Sequence, residues 1–156
     1  MPLLPHSKLY LVPLTGMSVG GRLLPLPPSV FGCQGTVLDS GTVITRLPAM
    51  AYSALRSAFL AFMAQRKYPL APAASLLNTC YDLSRYTAVH IPGGTDLVLN
   101  AANILLVSSP SQICLAFAGN TKAADPGIVG NWQQKTTLVV HNIPNSKIGF
   151  VQGASS

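Results

Sequence analysis

One segment decides how this chain folds: residues 35–45, whose sequence is GTVLDSGTVIT. Its single acidic side chain, Asp39, interrupts a run of β-branched and aliphatic residues that favours strands and burial. Ser40 and Thr42 can satisfy a carboxylate through their hydroxyls, and Gly41 permits a tight turn. The segment therefore indicates either an ordinary hairpin turn or a turn that presents a functional carboxylate. Because short motifs recur by chance, the segment taken alone favours the hairpin.

The composition is that of a folded domain of ordinary size with few charges. The chain has 156 residues, of which 49% are hydrophobic and 9% are charged. This length allows a real core, and this composition excludes a disordered chain. The net charge of +6 comes from ten scattered Lys and Arg set against four Asp. No basic stripe with interleaved aromatic residues is present, so we predict no nucleic-acid partner.

Neither a membrane span nor a metal or cofactor site is predicted. The longest uncharged stretch, residues 97–121, is interrupted by Asn, Gln, Pro and Ser, unlike a span of about 20 apolar residues. Residues 1–8 lack the pattern of a secretory leader, so either the protein is cytosolic or the chain lacks its natural N-terminus. The three cysteines show no metal-ligand spacing, and their odd number allows one disulfide and one free thiol.

The hydrophobic pattern predicts a mainly β protein with one prominent helix. We expect the helix to begin near Pro48 and to end before Pro69. Its apolar side chains recur at helical spacing, at Tyr52, Leu55, Phe59, Phe62 and Met63. Strands are expected at residues 8–15, 17–22, 36–38, 43–45, 80–83, 96–99, 104–107, 113–118, 137–141 and 148–151. The proline-rich segment 24–29 cannot occupy a central strand. Many short strands separated by turns indicate a sandwich or a barrel-like β fold.

A second segment gives the Asp39 turn a specific meaning. Residues 127–134 read GIVGNWQQ, and a glycine after two aliphatic residues lets a strand pass close under another backbone segment. Together with the DSGT sequence of residues 39–42, this pattern resembles the pepsin-like aspartic endopeptidases, most closely their plant nepenthesin-like branch. The matching stretches are residues 10–21, 36–48, 52–55, 78–82, 113–117, 127–134 and 139–151, in the family's order. The chain is similar to the second, C-terminal lobe of these two-lobed enzymes.

The resemblance implies a fold and a set of site residues. It implies a single domain over residues 1–156, a β-barrel-like lobe with one prominent helix, in which residues 1–7 form an irregular tail. Asp39 would be the catalytic carboxylate of this lobe, and its geometry would be held by hydrogen bonds from Ser40 and Thr42. Supporting roles fall to Ser40, Gly41, Thr42, Ile128, Val129 and Gly130.

The resemblance also implies a disulfide and a compartment. It pairs Cys80 with Cys114 and leaves Cys33 free. Relatives of this kind are secreted, vacuolar or apoplastic, although this chain carries no signal peptide of its own.

The chain departs from the family pattern in the number of its catalytic turns. The other aspartates, Asp82, Asp96 and Asp125, are followed by Leu, Leu and Pro, so Asp39 alone lies in the required motif. The chemistry needs two aspartates, and we therefore expect the chain to be incomplete and inactive alone. A polypeptide substrate would bind only when a first lobe is paired with this one.

Three alternatives to a paired protease lobe stay open. A homodimer that joins two copies of Asp39 is disfavoured for two reasons. No flap-like segment is present, and the stretch between His90 and Asp96 is about five or six residues, one strand, shorter than in the family that the chain resembles. A non-catalytic binding protein would resemble the plant xylanase inhibitors. An isolated lobe would have no activity. Retention of the DSGT turn favours the protease, since an inhibitor has no need of that carboxylate.

Overall fold

Short strands dominate the described part of the chain, in agreement with the mainly β prediction. The computed structural model describes residues 9–19, 21–32, 35–82, 99 and 101–152. The strands are β1 (Leu11–Val12), β2 (Ser18–Val19), β3 (Arg22–Leu23), β4 (Thr36–Leu38), β5 (Thr45–Leu47), β6 (Leu70–Ala71), β7 (Cys80–Asp82), β8 (Leu105–Ser109), β9 (Gln112–Leu115), β10 (Phe117–Gly119), β11 (Ile128–Val129), β12 (Thr137–Asn142) and β13 (Lys147–Gln152). The helices are α1 (Ala49–Ala64), α2 (Ala101–Ile104) and α3 (Asn131–Gln134), with 3₁₀ turns at Pro28–Phe31 and Ile143–Asn145.

Several predicted strands are present with different bounds. The strand expected at 8–15 is reduced to β1, and the proline-rich segment contributes a 3₁₀ turn rather than a strand. The strand expected at 113–118 is divided at Ala116, because β9 and β10 belong to different sheets. The predicted strand 96–99 and the predicted tail 1–7 lie outside the described residues, apart from Leu99.

The five-stranded sheet contains the crossing that positions the Asp39 turn. Its strand order is β1-β4-β11-β5-β10. Strands β4 and β5 follow each other along the chain, yet β11 lies between them, parallel to β4 and antiparallel to β5. The connection from β4 to β5 must therefore cross over the end of β11. This crossing explains why β5 begins at Thr45 and not at the predicted Val43.

Helix α1 covers one face of the core. Its buried residues are Ala51, Tyr52, Leu55, Phe59 and Met63, so four of the five predicted stripe positions are buried. The fifth, Phe62, lies half-buried with the Arg66 guanidinium 3.7 Å above its ring. The helix ends at Ala64 and is followed by Lys67 in the left-handed region at φ 56°, ahead of Pro69 as predicted. No helix of the described residues is long and apolar enough to span a membrane.

A disulfide lies inside the second sheet, whose strand order is β6-β7-β9-β8. Cys80 and Cys114 are directly opposite each other on the antiparallel strands β7 and β9, and their sulfur atoms are bonded. Both residues are buried, within a small cluster that includes Leu77, Ala118 and the partly buried Trp132. The disulfide implied by the resemblance is therefore present, while Cys33 lies outside the described residues.

We predict that removal of this disulfide destabilises the fold. The bond joins residues 34 positions apart, and a loop of that length gives about 3–4 kcal/mol in the chain-entropy description. The Cys80→Ala, Cys114→Ala double variant should lose about that amount from the free energy of unfolding in urea, and a smaller loss would show residual structure in the unfolded chain. Peptide mapping of the oxidised protein provides the control: a link from Cys33 to either residue would contradict the assignment.

Candidate active site

The Asp39 carboxylate lies at the end of β4, where the chain leaves the sheet. The backbone N–H of Asp39 donates to the carbonyl of Val129 at 3.1 Å, and this bond continues the β4–β11 ladder up to the turn. Its carboxylate accepts a hydrogen bond from Thr42 Oγ1 at 2.6 Å and another from the Gly41 N–H at 2.8 Å. One oxygen is taken by each donor, so the orientation of the carboxylate is fixed from within the turn.

These hydrogen bonds hold the pKa of Asp39 below its ordinary value. The Thr42 hydroxyl contributes most and the Gly41 N–H next, whereas partial burial acts in the opposite direction. Both donors favour the ionised carboxylate, because a protonated one would accept less strongly. The turn therefore favours the ionised form of Asp39.

Ser40 occupies a different position from the one that the resemblance implied. Its side chain is exposed, and among the described residues its hydroxyl makes no hydrogen bond with Asp39. Its backbone carbonyl instead accepts from the side-chain amide of Asn131 at 3.0 Å. The turn is thus supported by Thr42 and Gly41 from inside and by Asn131 from α3.

Gly130 lies in close backbone contact beneath the turn. A Cβ added to it would lie 2.7 Å from the carbonyl oxygens of Thr42 and Val43. The next two N–H groups, of Asn131 and Trp132, donate to those same two carbonyls at 2.7 and 3.1 Å. Residues 42–44 therefore rest directly on the backbone that follows β11, and only glycine fits there.

Ile128 and Val129 support the turn through the sheet. They pair with Val37 and Leu38 of β4, and both are half-buried. Val129 also contacts the small cluster of Val12, Leu38 and Ile148. The predicted supporting residues of this segment and the Asp39 turn are thus brought together by the fold.

An open groove of about 500 Å³ has Asp39 among its lining residues. Asn131 and Gln134 of α3 form one wall, and Tyr10 and His141 form another, with their rings 4.2 Å apart. No group of three or more His, Cys, Asp or Glu that could hold a metal ion occurs within the part of the chain that the structure describes. The groove is lined by the Asp39 carboxylate, the Lys135 ammonium, amide and hydroxyl groups, two aromatic rings and the aliphatic side chains of Leu38 and Val139.

Sequence reasoning missed Asn131 and Gln133 as parts of the site. Both lie within the quoted GIVGNWQQ segment, but the sequence does not indicate in which direction the side chain of a polar residue after a strand points. The Trp132 indole N–H donates to the Leu105 carbonyl at 3.1 Å, beside the disulfide cluster. Of the three histidines, His141 lines the groove, while His6 and His90 lie outside the described residues.

Comparison with known proteins agrees with this geometry. The fold and the Asp39 turn define one lobe of the pepsin-like aspartic protease class. A family model described as Xylanase inhibitor C-terminal matches residues 9–152, and the chain belongs to this family, the C-terminal lobe of plant pepsin-like aspartic proteases.

Named relatives include an aspartyl protease family protein of Arabidopsis thaliana and nepenthesin-2 of Nepenthes gracilis. The Arabidopsis protein is 43% identical, in an alignment that covers 96% of this chain and 33% of the relative. Nepenthesin-2 is 35% identical, in an alignment that covers 94% of this chain and 36% of the relative. The chain spans about a third of the length of these curated relatives. Their names indicate polypeptides as the substrate class.

Solved structures share the fold at low sequence identity. The crystal structure of edgp superposes with a TM-score of 0.83 at 17% identity, over 97% of this chain and 44% of that one. Basic 7S globulin from soybean superposes with a TM-score of 0.69 at 19% identity, over 96% of this chain and 42% of that one.

We predict that Gly130→Ala destabilises the lobe by about 1–3 kcal/mol, because its methyl group would overlap two carbonyl oxygens. Gly149→Ala is the matched control, since a Cβ there would have the Val140 Cβ at 4.0 Å as its nearest neighbour. The control should change stability by less than about 0.5 kcal/mol. Equal urea midpoints for the two variants would contradict the close contact at Gly130.

We predict that Thr42→Val raises the pKa of Asp39 toward its ordinary value, because it removes the largest favourable hydrogen bond. A lowered native pKa stabilises the fold above the pKa of the unfolded chain, and this stabilisation is lost as the pH falls through the native pKa. The stability of wild type and variant should therefore converge in acid. Carboxyl ¹³C NMR titration measures the shift, and Thr121→Val, at an exposed loop threonine, should leave it unchanged.

Proposed function

We propose that this lobe supplies one of the two catalytic aspartates of an aspartic-type endopeptidase. The observation that carries the proposal is the Asp39 carboxylate, held by Thr42 and Gly41 at the mouth of an open groove. The bond from the Gly41 N–H is that of an ordinary Asx turn, but the second bond, from Thr42 Oγ1 to the other carboxylate oxygen, holds the carboxylate in one orientation. A fixed orientation suits a group that must face a reacting atom.

The chemistry requires a second carboxylate close to Asp39. One member of such a pair takes a proton from water while the other donates a proton to the peptide carbonyl, so the water oxygen bonds to the carbonyl carbon as the carbonyl oxygen is protonated. Two carboxylates at short distance cannot both ionise readily, so they share a proton and titrate as a pair. The hydrogen bonds from Thr42 and Gly41 keep Asp39 able to carry the negative charge of that pair. An extended polypeptide would lie across the groove.

A separate first lobe is the proposed source of the second aspartate. Within the chain, no other aspartate lies in an Asp-Ser/Thr-Gly turn. Two copies of this chain could in principle bring two Asp39 carboxylates together, as a symmetric dimer would. The concentration dependence of activity separates this arrangement from a two-lobed one.

A non-catalytic binding protein is the second candidate function. The family description names the xylanase inhibitors, and this supports a lobe that binds another protein without cleaving it. The two candidates differ in what they require of Asp39: cleavage needs its carboxylate, whereas binding of a xylanase through another surface does not. The Asp39→Asn variant therefore distinguishes them.

We also propose that the protein reaches an oxidising compartment, such as the secretory route to the apoplast or the vacuole. The buried Cys80–Cys114 disulfide supports this, since disulfides of this kind persist outside the reducing cytosol.

We predict that the 156-residue chain alone does not cleave denatured haemoglobin or casein between pH 3 and pH 5. When it replaces the C-terminal lobe of the Arabidopsis relative, cleavage sensitive to pepstatin should appear, and Asp39→Asn should reduce it by about 10²–10⁴-fold while the fold is kept. Asp125→Asn is the matched control, because Asp125 lies in an exposed loop away from the groove.

Three results would contradict parts of this proposal. Normal cleavage by the Asp39→Asn chimera would move catalysis away from this residue. Specific activity of the isolated chain that rises with its concentration, and that pepstatin inhibits, would establish the homodimer. Inhibition of a xylanase by both the wild-type chain and Asp39→Asn, with no cleavage by the chimera, would establish the binding protein.

A further inference from the structure

Gln133 is a buried amide behind the Asp39 turn, and the proposed chemistry does not use it directly. Its side chain is 1% exposed and contacts three separate segments of the chain. Its Oε1 accepts from Thr45 Oγ1 at 2.5 Å, and its Nε2 donates to the carbonyls of Asn103 and Ala116 at 2.8 and 2.9 Å. Because these two carbonyls can only accept, the amide nitrogen must face them and the amide oxygen must face Thr45.

Thr45 transmits this constraint to Gly130. The Thr45 side chain is buried on β5, and its hydroxyl has a single proton, which it donates to Gln133. Its lone pairs are thereby left toward the Gly130 N–H, which donates to Oγ1 at 2.9 Å. Without the acceptor on Gln133, the hydroxyl proton would lose its partner, and the rotamer that places Oγ1 against the Gly130 N–H would lose one of its two hydrogen bonds.

The backbone position of Gly130 in turn determines the position of the Thr42 backbone. The two backbones are in such close contact that a Cβ on Gly130 would lie 2.7 Å from the Thr42 carbonyl oxygen. The Asn131 N–H, one residue further on, donates to that same carbonyl at 2.7 Å. A movement of Gly130 therefore moves Thr42, whose hydroxyl is 2.6 Å from the Asp39 carboxylate.

We propose that Gln133 is a positioning residue for Asp39: through Thr45 and Gly130 it sets the Thr42 hydroxyl against the carboxylate. Any role of Gln133 in catalysis rests on the function proposed above. The chain of contacts from Gln133 through Thr45, Gly130 and Thr42 to Asp39, here called the relay, does not rest on it. A purely structural role would predict something different, namely that loss of Gln133 weakens the fold without changing the surroundings of Asp39.

The test is a carboxyl ¹³C NMR titration of the full 156-residue chain labelled at aspartate. With four aspartates in the chain, Asp39 can be assigned by comparison with Asp39→Asn. Gln133→Met keeps the length of the side chain but removes its hydrogen bonds, and Thr45→Val removes only the hydroxyl of the relay. Both variants should raise the pKa of Asp39 toward its ordinary value and should shift the Gly41 amide proton, which donates to the same carboxylate.

Two further variants separate positioning from stability. Thr45→Ser keeps the hydroxyl and should keep the wild-type titration. Phe59→Leu, in the α1 core, should lower the urea midpoint but leave the Asp39 titration unchanged. If Gln133→Met does not fold, the contrast between Thr45→Val and Thr45→Ser decides the question.

A folded Gln133→Met or Thr45→Val protein in which Asp39 titrates as in wild type would overturn the relay. So would an equal shift in Phe59→Leu, because it would trace the effect to general loosening of the fold. The titration requires no peptidase activity, so a failed relay leaves the proposed function standing. Conversely, failure of the chimera to depend on Asp39 would leave the relay standing.

Discussion

The contact between the backbone at Gly130 and the carbonyl groups of Thr42 and Val43 is the constraint on which the site depends. Strand β11 is inserted between two strands that are neighbours along the chain, so residues 39–44 have to cross its end. The crossing is too close for any side chain on Gly130. With the two backbones in contact, the turn cannot sink toward the sheet, and the Asp39 carboxylate is directed outward into the groove.

The buried polar groups beneath this contact form a hydrogen-bonded network. Thr45, Asn103 and Gln133 are each at most 2% exposed, and their hydrogen bonds join β5, the α2 segment and the bend between β9 and β10. An unpaired buried polar atom costs about 1–3 kcal/mol, so each bond in the network depends on the others. The network is adjacent to the disulfide cluster, to which Trp132 of α3 also belongs. A rigid base of this kind suits a site whose carboxylate is at the surface.

Hydrogen bonding, rather than burial, governs the electrostatics of Asp39. Partial burial would favour the neutral acid, but the Thr42 hydroxyl and the Gly41 N–H outweigh it and lower the pKa. An ionised carboxylate can accept a proton but has none to give, so under the proposed function a second group would have to act as the general acid. Under the proposed function, the lobe would supply one half of a two-carboxylate chemistry. Such a carboxylate is superfluous in a protein that only binds, which is why Asp39 separates the two candidate functions.

The sequence by itself determined the elements whose signals are local. The aliphatic run of residues 36–38 and the apolar stripe of α1 depend on spacing and on backbone preference. The run forms β4, and four of the five stripe positions are buried as predicted. Only the tertiary structure decided contacts between residues far apart in the chain. It shifted β5 by two positions, since the turn has to cross β11. It turned Ser40 outward, and it buried Gln133 behind the site. The side-chain direction of a polar residue follows from the partners that the fold brings to it, and neither Asn103 nor Thr45 is near Gln133 in the sequence.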